Sequence, residues 1–341
     1  MRTRGSTPSG ASDRPRVSVV VRSYNRLPAL CELLDRLRAQ DHDSFEIVVV
    51  DQSTVREPDA EARLASLVET DPRIVIKRFP PLGGPRARNE GVRAARGDVI
   101  VFIDDDDLPA SDDWLRLHEA NFADPKCLAA TGRFLLEGGK EPPYANMDKA
   151  RARVLTFNVL RWQRVYARSD RRSVRCDSAM GGNAAWRRSA LERFGLWDEC
   201  TPIEDEPSLC YRVAREREAG EYLAFDPAVQ MIRRRGIPGG MDKRRMSAAG
   251  YGWRLFQFFH NIVAHYFPLR FVLLYPAYFC FLAYQVYDWI FDDSKHRRSL
   301  VGSIALAVGF SLALPFLWLW WLARWWARRL REGPLPHRPT I

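Results

Sequence analysis

Four short apolar runs alternate with amphipathic segments over the first hundred residues. The runs are VSVVVRSYNR (17–26), FEIVVVDQS (45–53), RIVIKRF (73–79) and DVIVFIDDDD (98–107). Runs of this length, rich in β-branched residues, are typical of buried strands. The intervening stretches at 27–40, 58–71 and 83–97 predict helices; in the first, four leucines recur at helical spacing. Because strands and helices alternate and the strands are apolar throughout, the pattern predicts an α/β fold with a mostly parallel sheet and flanking helices.

The pattern is less regular between residues 110 and 235. GGNAAWRRSALERFGLWDE (181–199) predicts a glycine loop followed by a short helix. TPIEDEPSLCYRVAREREAG (201–220) places three acidic residues directly before a helix that ends near Gly220. EYLAFDPAVQMIRRR (221–235) predicts a further strand and a turn.

The last ninety residues are much more apolar. Residues 253–267 are aromatic with interspersed polar positions, which is typical of a helix in a membrane interface. Residues 269–291 contain only Arg270 and Asp288 as charged residues, and 299–322 contain none. At about 1.5 Å per residue, each segment is long enough to cross a hydrocarbon core of about 30 Å. The pattern predicts a transmembrane hairpin, although a buried aromatic helix is the alternative for the first segment.

The domain organisation follows from these patterns. The sequence predicts a disordered tail (1–15), an α/β domain (16–245), an interfacial amphipathic helix (246–268), a transmembrane hairpin (269–323) and a basic tail (324–341). The basic, tryptophan-flanked tail favours the cytoplasmic side, whereas the three basic residues of the connecting loop argue the opposite way. We expect the chain in the inner (cytoplasmic) membrane, with its large domain on the cytoplasmic side.

Charge narrows the class of partner. The formal net charge is +10 and the pI is about 9.5, which indicates an anionic partner: nucleic acid, an anionic membrane face or a phosphorylated substrate. No nucleic-acid recognition motif is present, so nucleic acid is not expected. The six cysteines are scattered, without spacing suited to zinc, and we expect free thiols.

The fourth apolar run ends in four consecutive aspartates, Asp104 to Asp107. In parallel α/β sheets, ligands bind beyond the carboxyl ends of the strands, and Asp51 ends the second run. Acidic turn residues are often simply solvated, but four adjacent carboxylates repel each other unless something neutralises them. Carboxylates are good ligands for Mg²⁺ or Mn²⁺, which commonly also hold substrate phosphates.

Five motifs together carry a resemblance to a known family. VSVVVRSYNR, IVVVDQS, GGPRARNEGVRAARGDVIVFIDDDD, GGNAAWRRSALERFGLWDE and IEDEPSLCYRV occur in the order and spacing of family 2 glycosyltransferases, over roughly residues 15–235. The resemblance implies a GT-A fold, a nucleotide-sugar donor, a divalent metal (Mn²⁺ or Mg²⁺) and inversion at the anomeric carbon.

The resemblance also implies roles for individual residues. Asp51 would accept a hydrogen bond from the nucleobase, and Asp104 would face the ribose. Residues implied at the donor nucleotide and sugar are Ser23, Tyr24, Asn25, Asp51, Arg88, Asp104, Asp105, Gly182 and Asn183, with Gly181 beside them. The implied metal ligands are Asp104, Asp106 and Asp107. The roles of the four aspartates stay open relative to one another.

Asp205 in IEDE matches the family's catalytic base, and Glu204 stands beside it. A single inverting displacement needs one carboxylate base rather than a nucleophile and an acid. The alternative for this acidic triplet is an N-terminal helix cap favoured by the helix dipole.

Two positions depart from the family pattern. Gln52 stands where a second acidic residue is common, which leaves base selectivity open. No histidine occurs near the strand after the base, so either Gln230 replaces it or Arg233 to Arg235 meet the diphosphate.

Two arginine-rich stretches, 161–175 and 233–245, suit anionic lipid headgroups or a phosphorylated polyprenyl acceptor. A solvated basic surface is the alternative.

We expect a membrane-attached inverting glycosyltransferase that builds a cell-envelope glycan or glycolipid on a glycan or lipid-linked acceptor, with membrane lipids as further partners. The alternatives are a catalytically idle membrane scaffold and a sugar-phosphate nucleotidyltransferase. The latter is disfavoured because RSYNRLPAL, after the first strand, lacks glycine.

Overall fold

The structure is a computed structural model. It describes residues 14–137, 172–176, 178–179, 181–199, 206–234 and 236–240, the short strands at 152–155 and 162–165, and scattered positions from 305 to 341. The predicted base, Asp205 with Glu204, lies outside the described residues, as do the predicted interfacial helix at 246–268 and the first predicted membrane segment at 269–291.

Between residues 14 and 240, the described part of the chain forms eleven strands and six α-helices. The strands are β1 Val17–Ser23, β2 Phe45–Asp51, β3 Ile74–Arg78, β4 Val99–Asp104, β5 Asp107–Pro109, β6 Cys127–Leu136, β7 Ala152–Leu155, β8 Trp162–Val165, β9 Ser173–Cys176, β10 Asn183–Arg187 and β11 Tyr222–Arg233. The helices are α1 Leu27–Arg38, α2 Pro58–Thr70, α3 Gly84–Ala94, α4 Trp114–Ala120, α5 Arg188–Phe194 and α6 Glu206–Glu216, with a 3-10 turn at Asn121–Ala123.

The main sheet has the order β3-β2-β1-β4-β10-β6-β11-β5, and β9 pairs with β11. The first four of these strands are parallel, as the apolar runs predict. The other half is mixed, because β10 runs antiparallel to both β4 and β6 while β11 runs parallel to β6. The predicted α/β fold with a mostly parallel sheet is therefore confirmed for the amino-terminal half, and antiparallel strands complete it.

Two predicted boundaries shift. Asn183, expected in a glycine loop, is the first residue of β10. The aspartate run does not lie on one strand end: β4 ends at Asp104, the chain turns at the next two residues, and Asp107 begins β5. Both shifts arise from pairing with strands that are distant in sequence, which local pattern does not encode.

Helices cover both faces of the sheet. On one face, alternate valines of β1 pack with the leucines of α1 and α2. On the other, Val20, Ile100 and Phe102 pack with Trp186 and Trp197. Since successive strand residues point to opposite faces, a strand buried on both sides must be apolar at every position, which explains the unbroken runs.

Helix α3 lies very close to β1. A Cβ built on Gly91 would lie only 2.2 Å from Cγ1 of Val20, so a glycine is needed at this crossing. The close approach sets the position of the helix relative to the strand.

The strand register brings several chain segments to one edge of the sheet. Ser23 pairs with Asp51, and Arg22 pairs with Asp104. Because β10 is antiparallel to β4, its first residue, Asn183, lies opposite Ile103 at this same edge. The carboxyl ends of β1, β2 and β4 and the start of β10 therefore line one crevice, where ligands of α/β sheets bind.

Described positions between 305 and 331 are helical, and several of their large apolar side chains are exposed, including Val308, Leu312, Phe316 and Leu330. Among the residues that can be described, no helix is both long enough and apolar enough to cross a membrane. The hairpin at 269–323 stays a prediction.

Candidate functional site

Three of the four aspartates converge at the crevice. Carboxylate oxygens of Asp104, Asp106 and Asp107 all lie within 4.8 Å of one another. The turn between β4 and β5 creates this cluster, because it delivers side chains from the end of one strand and the start of the next to a common point.

Arginines from β1, its following turn and β11 neutralise the acidic run. Arg22 Nε donates to Asp104 Oδ1 at 2.8 Å. One Nη atom of Arg26 lies 3.1 Å from Asp105 Oδ1 and 2.7 Å from Asp106 Oδ2. On β11, directly opposite Asp107 in the strand register, Arg233 donates to Asp107 Oδ2 at 3.4 Å. We infer that the four adjacent carboxylates are tolerated because each meets a guanidinium.

The pKa values of the two outer aspartates move in opposite directions. Burial acts to raise the pKa of Asp104, but the guanidinium of Arg22, together with those of Arg88 and Arg233, holds it well below its usual range. For Asp107, burial dominates, and despite the opposing effect of Arg233 the pKa rises to about 7, with repulsion from Asp104 and Asp106 adding to the rise.

The donor set fits a divalent metal. Three convergent carboxylates offer hard oxygen ligands of the kind that Mg²⁺ and Mn²⁺ take, and a dication would relieve the repulsion that raises the pKa of Asp107. The predicted ligands Asp104, Asp106 and Asp107 are therefore brought together by the fold.

Asp105, predicted among the donor-binding residues, points to the β1 turn instead. It is buried, and its Oδ2 accepts hydrogen bonds from Ser23 Oγ at 2.8 Å and from the Tyr24 backbone N–H at 3.3 Å. Burial raises the pKa of Asp105 to about 6, against the lowering effect of Arg26. Ser23 and Asp105 thus hold each other and fix the turn that carries Tyr24.

Asn25 ties the ends of β1 and β2 together. Its backbone is in the left-handed region, with φ of 53°, which asparagine tolerates better than most residues. Its N–H donates to Ser53 Oγ at 2.9 Å, and its Oδ1 accepts from the backbone N–H groups of Thr54 at 2.8 Å and Val55 at 3.0 Å.

Asp51, the predicted nucleobase acceptor, is fully buried and already engaged. Its Oδ1 accepts from the Ser53 N–H at 2.9 Å, and its Oδ2 pairs with an Arg56 Nη atom at 2.9 Å. Neighbouring Gln52 uses its Oε1 to accept from the Leu82 N–H at 2.8 Å, which anchors the loop before α3. A base that bonded to Asp51 would therefore also meet Arg56, which the sequence patterns did not single out.

Arg88 lies on α3 and is almost fully buried. Its guanidinium carbon lies 5.8 Å from the Phe102 ring centroid and 5.2 Å from that of Trp197, both cation–π distances. Through its charge it lowers the pKa of Asp104. The predicted nucleotide contact of Arg88 stays a prediction, but the fold places its charge near the acidic cluster.

Gly182 and Asn183, predicted near the donor sugar, are both buried but differ in what they contact. A Cβ on Gly182 would lie 3.2 Å from an Arg233 Nη atom and 3.2 Å from Asp104 Oδ2, so the glycine borders the cluster directly. Asn183 is buried one residue on, where its side chain holds the protein together.

The amide of Asn183 makes four hydrogen bonds. Its Oδ1 accepts from Trp114 Nε1 and His118 Nε2, both at 3.1 Å, and its Nδ2 donates to the carbonyls of Arg133 at 3.0 Å and Val229 at 3.2 Å. Burial lowers the pKa of His118 to about 3, so the imidazole is neutral. With its hydrogen-bonding groups used inside the protein, this side chain is poorly placed to bind a sugar.

Asn89, the neighbour of Arg88, connects α3 to the segment that leads toward the predicted base. Its Nδ2 donates to the Trp197 carbonyl at 2.9 Å and to Glu199 Oε1 at 3.0 Å, and its Oδ1 accepts from the Trp197 N–H at 3.0 Å. Asn89 was not among the site residues predicted from the sequence, although it follows Arg88 in the GGPRARNEGV stretch.

The end of β11 contains the residues predicted to replace the family's missing histidine, Gln230 or the arginines from Arg233 onward. Gln230 donates through Nε2 to the Pro227 carbonyl at 3.1 Å, whereas Arg233 reaches the acidic cluster. Arg234 is buried and donates to the carbonyls of Asp106 at 3.2 Å and Asp105 at 3.3 Å, so it supports the acidic turn from behind. Of the described arginines in this stretch, Arg233 is therefore the one whose side chain lies at the carboxylate cluster.

Comparisons with known proteins agree on one family. A family model described as "Glycosyl transferase family 2" matches residues 18–195. The chain is 38% identical over 93 residues to the uncharacterized glycosyltransferase YwdF of Bacillus subtilis, covering 27% of this chain and 33% of that protein. It is 33% identical over 95 residues to the amylovoran biosynthesis glycosyltransferase AmsB of Erwinia amylovora, covering 26% and 30%. These alignments span about a third of the relatives' length.

Two solved structures share the fold. The mannosyltransferase PcManGT from Pyrobaculum calidifontis, in complex with GDP-Man and Mn²⁺, has a TM-score of 0.50 at 21% identity, covering 94% of this chain and 88% of its own. GalNAc-T7 with UDP, GalNAc and Mn²⁺ has a TM-score of 0.52 at 15% identity, covering 74% and 48%. At these identities the likeness shows the fold alone, a GT-A-like mixed sheet with flanking helices.

Proposed function

Because this chain belongs to glycosyl transferase family 2, we propose that it transfers a sugar from a nucleotide diphosphate sugar to an acceptor hydroxyl or lipid phosphate, with inversion at the anomeric carbon. The observation that carries the proposal is the cluster of Asp104, Asp106 and Asp107 with arginines around it. Carboxylates bind a metal, and cations together with the metal bind a diphosphate.

The nucleotide would lie along the ends of β1 and β2. Ser23, Tyr24 and Asn25 form a turn that hydrogen bonds hold against the acidic turn and the loop after β2. Asp51 and Arg56 together offer both an acceptor and a donor to a nucleobase. Asp104, on the neighbouring strand β4, would face the ribose.

Asp106 and Asp107, with Asp104, are the residues that would hold Mn²⁺ or Mg²⁺. When bound, such an ion supplies charge that stabilises the leaving diphosphate. Its presence in PcManGT and GalNAc-T7 supports the same cofactor class here. Within this chain, Arg88 and Arg233 add positive charge on the same side.

Asp205 would act as the base. The acceptor oxygen attacks the anomeric carbon from the face opposite the diphosphate, and its proton passes to the carboxylate as the new bond forms. One displacement inverts the centre and needs no covalent intermediate. Glu204 stands beside Asp205 in the sequence, and Asn89 holds the preceding segment through Trp197 and Glu199.

The acceptor class is proposed from sequence and from one relative. AmsB is named for the biosynthesis of amylovoran, which supports a role in polysaccharide biosynthesis, and we propose a cell-envelope glycan or glycolipid as the product. The apolar segments at 269–291 and 299–322 would keep the enzyme at the inner membrane, near lipid-linked acceptors.

Isothermal titration of detergent-purified protein against UDP-, GDP- and dTDP-sugars, with and without Mn²⁺, tests the donor site. We expect one nucleotide class to bind only with metal. Asp106→Asn should lose the metal-dependent donor binding, whereas Asp205→Asn should bind donor normally and lose transfer by at least about 100-fold. Asp43→Asn, which removes an exposed partner of Arg16, is the matched control. Full transfer by both aspartate variants would refute the assignment.

A further inference from the structure

One of the arginine–carboxylate contacts at the acidic turn is longer than the others, the next longest being Arg26 to Asp105 at 3.1 Å. Arg22 to Asp104 measures 2.8 Å and Arg26 to Asp106 measures 2.7 Å, but Arg233 to Asp107 measures 3.4 Å. Among the residues that the structure describes, this is the side-chain hydrogen bond that the Arg233 guanidinium makes. At that length it is weak, so Arg233 is the guanidinium of this group that is most easily displaced.

The Arg233 side chain lies close enough to the carboxylate cluster to interact with both a bound metal and a bound ligand. It approaches Gly182 together with Asp104 Oδ2, and it reaches Asp107 Oδ2, so it sits beside two of the three clustered carboxylates. The side chain is 35% exposed, whereas that of Asp107 is 2% exposed. The guanidinium is therefore the more exposed of the two partners.

A dication and Arg233 compete for Asp107. Like charges a few ångströms apart repel, and in a partly buried site water screens that repulsion poorly. Metal bound by Asp107 must therefore weaken the contact with Arg233. The ring of Phe134, whose centroid lies 5.0 Å from the guanidinium carbon, still holds the arginine at the crevice through a cation–π contact.

Arg26 and Arg234 are unsuited to this exchange. Arg26 bridges Asp105 and Asp106 and is mostly buried. Arg234 is bound to two backbone carbonyls of the acidic turn and pairs with Glu32. Moving either one would dismantle the turn that forms the cluster.

We propose that Arg233 is a metal-released diphosphate ligand. Without metal it partly neutralises Asp107 and keeps the carboxylate cluster intact. When a metal binds Asp107, the Arg233 guanidinium is released. Its planar fork matches phosphate oxygens, and it then binds the diphosphate of the donor. This inference rests on the proposed function, since it needs a diphosphate ligand.

Opposite changes in two affinities test the proposal. Mn²⁺ binding without nucleotide is measured by the loss of the free Mn²⁺ signal in electron paramagnetic resonance. Binding of nucleoside diphosphate, at saturating Mn²⁺, is measured by titration calorimetry with the nucleotide that the wild-type chain prefers. Arg233→Gln should bind Mn²⁺ about fivefold tighter or more and the diphosphate at least about tenfold weaker. Arg233→Lys should bind Mn²⁺ like wild type and the diphosphate with intermediate affinity, because lysine keeps the charge but lacks the fork.

Arg193→Gln removes an arginine on α5 that pairs with Glu221 rather than with the aspartate cluster. It should leave both affinities unchanged. Weaker or unchanged Mn²⁺ binding by Arg233→Gln would overturn the proposal, as would unchanged diphosphate binding. If Arg233→Gln unfolds, wild-type diphosphate affinity in Arg233→Lys alone overturns it. A wild-type chain that binds Mn²⁺ but no nucleoside diphosphate would overturn the proposed function as well, so the two failures are distinguishable.

Discussion

Identical residues can perform different tasks when they are adjacent. Asp104 and Asp107 end and begin separate strands, Asp106 completes the carboxylate cluster, and Asp105 turns away to hold Ser23 and Tyr24. A change at Asp105 should therefore act through the shape of the β1 turn, whereas a change at Asp106 should act on metal directly.

Asn183 gives a prediction at the residue scale. Asn183→Ala should lower the free energy of unfolding by about 3 kcal/mol, because it leaves Trp114, His118 and two backbone carbonyls without partners in a buried site. Donor affinity of the folded fraction should be nearly unchanged. Urea unfolding and donor titration measure the two quantities.

Asn121→Ala is the matched control for that variant, since Asn121 is also buried but its amide donates two bonds, to Leu117 and Asp226. It should lose less stability than Asn183→Ala. A large fall in donor affinity for Asn183→Ala with unchanged stability would instead favour the predicted sugar contact.

At the scale of elements, the contact between α3 and β1 determines where Arg88 lies. Gly91→Ala should gain about 1 kcal/mol in helix propensity but lose more through overlap with Val20, so we expect a net loss of about 1 to 2 kcal/mol. Donor affinity should fall severalfold, because the displaced helix carries Arg88. Thermal unfolding and donor titration measure both effects.

An exposed helix position supplies the comparison for Gly91→Ala. Ser66→Ala in α2 adds no overlap, and its effect should stay within about 0.5 kcal/mol. A stabilised Gly91→Ala variant with normal donor affinity would contradict the argument that this crossing sets the helix position.

The junction of α1, α2 and β3 gives a pH prediction. Hydrogen bonds from the Arg73 side chain lower the pKa of Asp71 to about 2, against the effect of burial, and Arg38 Nε also donates, at 3.2 Å. A lowered native pKa means that the stabilisation is present above the unfolded-state pKa of about 3.9 and is lost as the pH falls through 2.

Asp71→Asn should therefore lower the free energy of unfolding by about 1 to 2 kcal/mol at pH 6, and the difference from wild type should shrink between pH 4 and pH 2. Urea titrations at several pH values measure this. Asp43→Asn removes an exposed partner of Arg16 and should change little. A difference that stays constant from pH 6 to pH 2 would contradict the assignment.

At the scale of the whole molecule, much of the fold followed from the sequence, because strands that are buried on both faces have to be apolar throughout. The runs that became β1, β2 and β4 carry that requirement in their own residues, whereas β3 is an edge strand with exposed Lys77 and Arg78. The placement of β10 does not follow from its own residues, because Asn183 is held by α4, β6 and β11, none of which is adjacent in sequence. Long-range pairing of this kind leaves no local period.

The candidate site was predictable to a similar extent. The carboxylate cluster could be anticipated because like charges at a strand end need neutralisation. Arg88 and Arg233 were among the residues predicted from the sequence, but the arginines in loops could not be assigned, since a guanidinium there has no periodicity and can reach several partners. Arg26 and Arg56 are examples: each lies in a loop and meets its aspartate only after the strands have aligned.

Membrane attachment is the prediction that belongs to the entire chain. When the 341-residue chain is expressed in bacteria, it should remain in the membrane fraction after alkaline carbonate washing, because segments 269–291 and 299–322 are long enough to span. Replacing two leucines of 299–322 with arginine should release a large share of it, whereas two leucine-to-alanine changes should not. Complete release of the wild-type chain by carbonate would contradict the hairpin.

The link from α3 to the Trp197–Glu199 segment has a kinetic consequence. Arg88 packs against the Trp197 ring, and the adjacent Asn89 holds the Trp197 backbone and Glu199, from which the chain continues toward Asp205. If Arg88 contacts the donor and Asp205 is the base, as proposed, donor binding also acts on the segment that leads to the base. Such a coupling favours a compulsory order of substrate addition, in which the sugar nucleotide enters first and the spent nucleotide leaves last. With this order of binding, the base would seldom activate water in place of the acceptor hydroxyl, so hydrolysis of the donor would be slow.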